Sequence, residues 1–158
     1  MDESGQIPYW AGNPPEDFRP QVITSVKGKK GPLVTDAKIA ANLLREYFID
    51  RDQEHYFVMY LNTRNNLIGM EIVAKGTLNS AIVHPREVFK GAIRVSAASV
   101  IVGHNHPSGD PAPSKDDDEL HRRIENAGDL IGIRVLDSIV LGENDFYSYM
   151  EGKESMYR

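Results

Sequence analysis

The 158-residue chain contains no cysteine. That absence excludes disulfides, cysteine-ligated zinc, iron–sulfur clusters and a thiol nucleophile. It also fits a reducing compartment. No apolar run approaches the ~18 residues of a membrane span. The opening residues MDESGQIPYW lack the basic and apolar regions of a secretory signal, so the expected location is cytoplasmic. Basic residues do not predominate: 18 stand against 23 acidic ones, for a formal charge of −5. The chain as a whole therefore carries no basic nucleic-acid footprint. Its one small basic cluster, Lys27, Lys29 and Lys30, reads as a solvated loop. There is no internal repeat. Glycine (13) and proline (9) are only slightly above average usage, which argues against a collagen-like chain and against disorder throughout.

What is present suits one compact domain. Hydrophobic residues make up 41% of the chain, and a chain of this length buries roughly 70% of its unfolded surface. It is too short for a β/α barrel of about 250 residues. Residues 1–19 hold three prolines and no apolar period, and read as an extended arm; Tyr9, Trp10 and Phe18 suggest that part of it docks on its own domain or a partner. Alternation of Val22, Thr24 and Val26 predicts a short strand over 20–27. A helix is expected from Thr35 or Asp36, both good caps, with Ile39, Leu43, Leu44, Tyr47 and Phe48 on its apolar face. Strands are expected over 54–61 (EHYFVMYL) and 67–74, joined as a hairpin. Pro85 opens a second helix lined by Val88, Phe89, Ala92 and Val95.

The run AASVIV over 97–102 predicts a strand covered on both faces. A Gly- and Pro-rich loop follows over 103–113. Ser114 then caps a third helix that reaches about Ala127, with Leu120, Ile124 and Ala127 inward and Gly128 near its end. Two more strands are expected over 133–141 and 145–149, and a polar tail over 151–158. Helices interleaved with strands and hairpins indicate an α/β domain, a mixed sheet flanked by helices, over 20–150.

The chemistry concentrates in GHNHPSGDPAPSKDDDEL. His104 and His106 stand at i and i+2 beyond the buried strand, so an extended backbone turns both imidazoles to one face. Ser114 and Asp117 match the S-x-x-D capping signal, which brings Asp117 back toward the strand end on the helix's first turn. A helix start also favours an ionised carboxylate. Two imidazoles and a carboxylate leave a fourth tetrahedral position for water, the build of a catalytic zinc site. The pattern H-x-H-x7-S-x2-D should arise by chance in only on the order of a few chains in ten thousand of this length. One catalytic Zn²⁺ held by His104, His106 and Asp117 is therefore expected. A general base is also needed, and the residues alone leave Glu46, Glu54, Glu71 and Glu87 open. His55, His84 and His121 read as surface or packing residues, with His84 the one to check near the site.

Other readings of these letters fit less well. A zinc deaminase needs cysteine ligands. The metallo-β-lactamase pattern needs Asp and His where the chain has Ser108 and Gly109. An HNH nuclease spreads its named residues over a longer finger-like unit. A facial-triad iron site uses the same residue types in a different chain order.

The histidine stretch resembles the JAMM motif of the MPN+ (JAB) metallohydrolases. With GTLNSAIVHPREVF, GHNHPSGDPAPS and IRVLDSIVLG, the chain resembles the RadC family in particular, over roughly residues 36–150. The resemblance implies an MPN/JAB-like fold, a layered architecture related to that of cytidine deaminases. It implies a zinc-dependent metallopeptidase or isopeptidase with Glu54, at the head of the strand after the first helix, as general base. Ser114 would donate to the developing oxyanion as well as cap the helix. The expected partner is a peptide or isopeptide-linked protein, with no membrane and an unassigned oligomeric state.

The family's DNA-repair name makes nucleic-acid binding or processing the alternative, which net charge does not support; a non-catalytic, metal-stabilised scaffold is a third. Longer relatives carry an N-terminal helix-hairpin-helix region, and this chain reads as a short, stand-alone form. Many relatives have Asp-His in the late strand, whereas Asp137 is followed here by Ser138.

Overall fold

The computed structural model describes residues 31–47, 52–76, 78 and 82–157. The arm over 1–19, the strand expected over 20–27, the lysine cluster and Phe48 lie outside the described residues. Three helices and six strands follow in the order α1 (Ala37–Tyr47), β1 (His55–Leu61), β2 (Leu67–Lys75), α2 (Pro85–Arg94), β3 (Ser99–Asn105), α3 (Lys115–Ile131), β4 (Arg134–Leu141), β5 (Asp145–Ser148) and β6 (Lys153–Met156). The sheet order is β2-β1-β3-β4-β5-β6. Only β3 and β4 run parallel, joined through α3; every other neighbouring pair is antiparallel. No helix among the described residues is long and apolar enough to cross a membrane.

Helices cover both faces, which explains why β1 is apolar at nearly every position. Tyr56, Val58 and Tyr60 face α2 and α3, among Val88, Phe89, Leu120 and Ile124. Phe57, Met59 and Leu61 face α1. Asp36 caps α1, its Oδ1 accepting from Ile39 N at 2.8 Å. The buried face of α1 is Ala37, Ala40, Ala41 and Leu44, while Ile39 and Leu43 pack only at its margin. These small side chains let the helix lie close to the sheet, and Leu44 Cδ1 would stand 3.2 Å from a Cβ built on Gly103.

Three boundaries differ from the sequence expectation. β3 does not stop at Val102. It continues through Asn105, because β1 and β4 flank it there, pairing Tyr56 with His104 and Leu141 with Asn105. His104 is thus a strand residue, not part of the loop. The third helix does not end near Gly128. It runs to Ile131 and closes on Gly132, whose φ of 86° is left-handed and suits glycine. Gly128 instead permits close packing: a Cβ there would lie 2.5 Å from Ile133 O and 3.1 Å from both Phe89 and Val135. Finally, the segment read as a polar tail contains β6, an exposed edge strand on β5. It is anchored by buried Tyr157, whose hydroxyl donates to Gly142 O at 2.7 Å and whose ring lies under Arg45.

Candidate metal centre

His104 ends the part of β3 that pairs with β1, and His106 follows the strand by one residue. Both imidazoles turn to the same side, as their i, i+2 spacing dictates. Their Nε2 atoms are 3.2 Å apart. Asp117 arrives from the first turn of α3, with Oδ1 3.1 Å from His104 Nε2 and Oδ2 3.1 Å from His106 Nε2. Ser114 sets that carboxylate. Its N–H donates to Asp117 Oδ2 at 2.8 Å, and its Oγ accepts from Asp117 N at 3.1 Å, a complete capping box.

These three side chains form a group able to hold a metal ion. Ligands about 2.0–2.1 Å from one zinc ion at tetrahedral angles stand roughly 3.3 Å from each other. The triangle formed by His104, His106 and Asp117 is close to that size, so the residues fit such an ion. Its orientation is also prepared. His106 Nδ1–H donates to Asp110 O at 2.8 Å, which leaves Nε2 as the ligating nitrogen. Electrostatics favour a cation here as well. Burial alone would push the Asp117 carboxyl up, but its hydrogen bonds with His104 and His106 outweigh that and hold it well below the usual carboxylate range. The same bond to Asp117 raises His106, against the effect of burial. Asp117 thus stays ionised, as a carboxylate ligand must.

Of the four candidate glutamates, Glu54 is the one whose charge reaches the ligand group. The antiparallel register Tyr56 to His104 carries it to the level of His106, whose imidazole feels its charge. Its Oε2 accepts from Leu78 N at 3.0 Å. Glu46 is exposed on α1. Buried Glu71 is bonded by the Tyr60 hydroxyl. Glu87 is exposed on α2 and pairs with Lys90 at 3.0 Å. His84 is the N-cap residue of α2 and stands outside the ligand group. His55 is a packing residue, stacked on Phe57.

Asn105 was not singled out by its pattern, yet it holds the glutamate's backbone. Its Oδ1 accepts from His55 N at 2.8 Å and its Nδ2 donates to Gln53 O at 2.9 Å, so it grips both neighbours of Glu54. The alternation of β3 supplies a signal for this, since the residue between two ligands must face the other way. On the α1 side of His106 lies a groove of about 190 Å³ lined by Arg45, Pro107, Leu141, Glu143 and Tyr157. A larger cavity, about 550 Å³, lies along the N-terminal part of β4 and includes Asp137 and His121 but none of the ligands. The chemistry places the site at the histidines, and the larger space does not move it.

Asp137, His121 and Ser138 form a second polar cluster. Asp137 Oδ1 accepts from Ser138 N (2.7 Å) and Met150 N (3.0 Å), and Oδ2 accepts from Ser148 Oγ (2.6 Å). His121 Nδ1 and Ser138 Oγ are hydrogen-bonded at 2.7 Å, and the His121 ring stacks on Tyr149 at 4.2 Å.

Known proteins place this geometry. Among curated relatives, the chain is 51% identical over 121 residues to a UPF0758 protein of Desulforudis audaxviator, covering 77% of this chain and 53% of that one. It is 53% identical over 111 residues to UPF0758 protein YsxA of Bacillus subtilis, covering 70% and 48%. The chain therefore spans about half the length of the curated relatives it matches. The RadC-like JAB domain matches residues 34–155, from the start of α1 through β6. With its mixed sheet, its two-faced helical cover and a His-His-Asp group at the β3–α3 junction, this chain belongs to the RadC-like JAB domain family.

Proposed function

We propose that this chain is a zinc-dependent hydrolase of amide or isopeptide bonds. The observation that carries the reading is the convergence of His104, His106 and Asp117, with Glu54 close enough for its charge to reach His106. The first three would hold the zinc. When bound, the ion supplies Lewis-acid polarisation and lowers the pKa of a coordinated water toward ~7.

The protein's own residues do the rest. Glu54, held by Leu78 N–H and by Asn105's grip on its neighbours, takes a proton from the attacking water. The water oxygen bonds to the carbonyl carbon. The C–N bond then breaks, and Glu54 returns the proton to the departing amine. Ser114 keeps a hydroxyl hydrogen free of its capping role, because its Oγ serves the cap as an acceptor. That hydrogen is available to the developing oxyanion. The groove lined by Arg45, Leu141 and Tyr157 receives the peptide chain next to the reacting carbonyl. The partner class is a peptide or an isopeptide-linked protein.

Elemental analysis of the purified protein and a peptide and isopeptide screen test this together. Wild type should carry near-stoichiometric zinc, and His104→Ala should not. Glu54→Gln should keep the metal and lose about 10²–10⁴-fold in turnover, the usual share of a positioned general base. Equal turnover of the two proteins would remove Glu54 from the mechanism.

A further inference from the structure

His104 and His106 are held differently. The Nδ1 of His106 is fixed by the Asp110 carbonyl. The Nδ1 of His104 makes no hydrogen bond among the described residues, although His104 is buried. A metal-binding imidazole nearly always donates its second N–H to something. Tyr56 raises a related question. It is 2% exposed, stands opposite His104 on β1, and stacks on its ring with an interplanar angle of 11°. Its hydroxyl also makes no hydrogen bond among the described residues. Buried tyrosine hydroxyls normally have a partner.

Both residues line one small pocket. It lies between β1, β3, β4 and α3, and Asp117, His121, Ser138 and Tyr149 complete its polar lining. Its volume is about 10 Å³, near the minimum for a single water. His121 reaches the pocket because it stands one turn beyond Asp117 on the same face of α3. Ser138 reaches it from β4, where it is level with Val102. The two touch at 2.7 Å, and His121 is wedged by Tyr149, whose hydroxyl donates to Asp118 at 2.7 Å. The far side of the pocket therefore presents the fixed His121–Ser138 pair among largely apolar walls, and the near side holds two polar groups that make no hydrogen bond among the described residues.

We propose that Tyr56, His121 and Ser138 are positioning residues of the metal centre, which orient the His104 imidazole through one water held in this pocket. The inference rests on the reading that the triad binds a metal. The water accepts from His104 Nδ1–H and fixes Nε2 as the ligating atom. Its remaining bonds go to the Tyr56 hydroxyl and the His121–Ser138 pair, within the two to four partners such a water needs.

The test is metal affinity of the full chain, read by Co²⁺ absorption and by Zn²⁺ competition against a chromophoric chelator. Tyr56→Phe and Ser138→Ala keep the packing volume nearly unchanged. Each should weaken binding about 10-fold or more, the scale on which outer-shell partners act. Their metal-free melting temperatures should not follow that order, as they would if the residues were merely structural. The exchange His121→Ser with Ser138→His hands the imidazole from one wall of the pocket to the other. It should bind metal more tightly than His121→Ser alone. Single variants that bind like wild type, or an exchange no better than His121→Ser, would overturn the inference while leaving the triad intact. Wild type that binds no better than His106→Ala would overturn the metal reading, and this inference with it.

Discussion

Two aspartates of this domain are buried almost equally, Asp117 at 8% exposure and Asp137 at 4%, yet burial leaves them in opposite states. Burial pushes both carboxyls up. At Asp137 the counterweights are a serine hydroxyl and two backbone N–H groups, all neutral, and its affinity for a proton stays raised. At Asp117 two imidazoles face the carboxylate, and its proton affinity falls. The partners set the direction: at Asp137 burial and the nearby Glu151 outweigh the neutral donors, and at Asp117 the imidazoles outweigh burial. Neutral donors make a carboxylate a structural acceptor, which here pins the end of β5 and the turn after it to β4. Imidazoles make it half of a cation site. Of two buried acids on adjacent elements, only the second is equipped for a metal.

Exchanging the acids for neutral side chains should separate these roles. The largest effect is expected from Asp117→Asn. Zinc content of the purified protein should fall to background, while Asp137→Asn keeps it; equal metal content in both would erase the distinction. Next, Asp137→Ala strands three donors inside the protein and should cost about 3 kcal/mol or more, read by urea unfolding. A loss below about 1 kcal/mol would mean that water replaces the carboxylate there.

The pH dependence of the metal-free protein should show opposite slopes. Asp117 has a folded pKa below its reference of 3.8. Its contribution is present above that value and fades as pH falls through the folded pKa. Asp137 has a folded pKa above 3.8. Its contribution is present below 3.8 and is lost as pH rises through the folded pKa. As pH rises toward 3.8, the stability of wild type relative to Asp117→Asn should therefore grow and then level off, and as pH rises beyond 3.8 its stability relative to Asp137→Asn should shrink. Parallel slopes would show that the two sites titrate alike. The smallest effect belongs to Ser114→Ala, which removes one cap acceptor and should cost about 1 kcal/mol in thermal unfolding. Its Ser114 N–H still reaches Asp117, so metal binding should persist.

Much of this architecture is legible in the sequence itself. The two central strands announce themselves as apolar runs, because sheets covered on both faces need no alternation. The ligands were legible because strand and helix geometry make H-x-H and S-x-x-D local statements. What sequence hid is non-local or weak. β6, the segment KESM, is exposed along most of its length and is held by backbone bonds that any residues can make. The inner face of α1 is built from alanines, and the larger Ile39 and Leu43 drew attention to its margin. The contact of His121 with Ser138 joins residues 17 apart through a crossover, and nothing near either one signals it. Asp137 followed by Ser138 marked a departure from relatives, but only the fold shows the imidazole arriving from the helix instead.

Gly128 has a consequence for the other end of its helix. Asp117 and Gly128 lie eleven residues apart on α3, about 16 Å along a rigid rod. Gly128 is where that rod presses tightest on β4 and α2, with no room for even a methyl group. A methyl there would lift the distal end and tilt the whole lever about the buried contacts of Leu120 and Ile124. The carboxylate at the proximal end would swing with it, in a site whose ligand distances tolerate only about ±0.2 Å. The missing side chain at Gly128 thus bears on where Asp117 stands in the candidate metal site, through packing rather than chemistry.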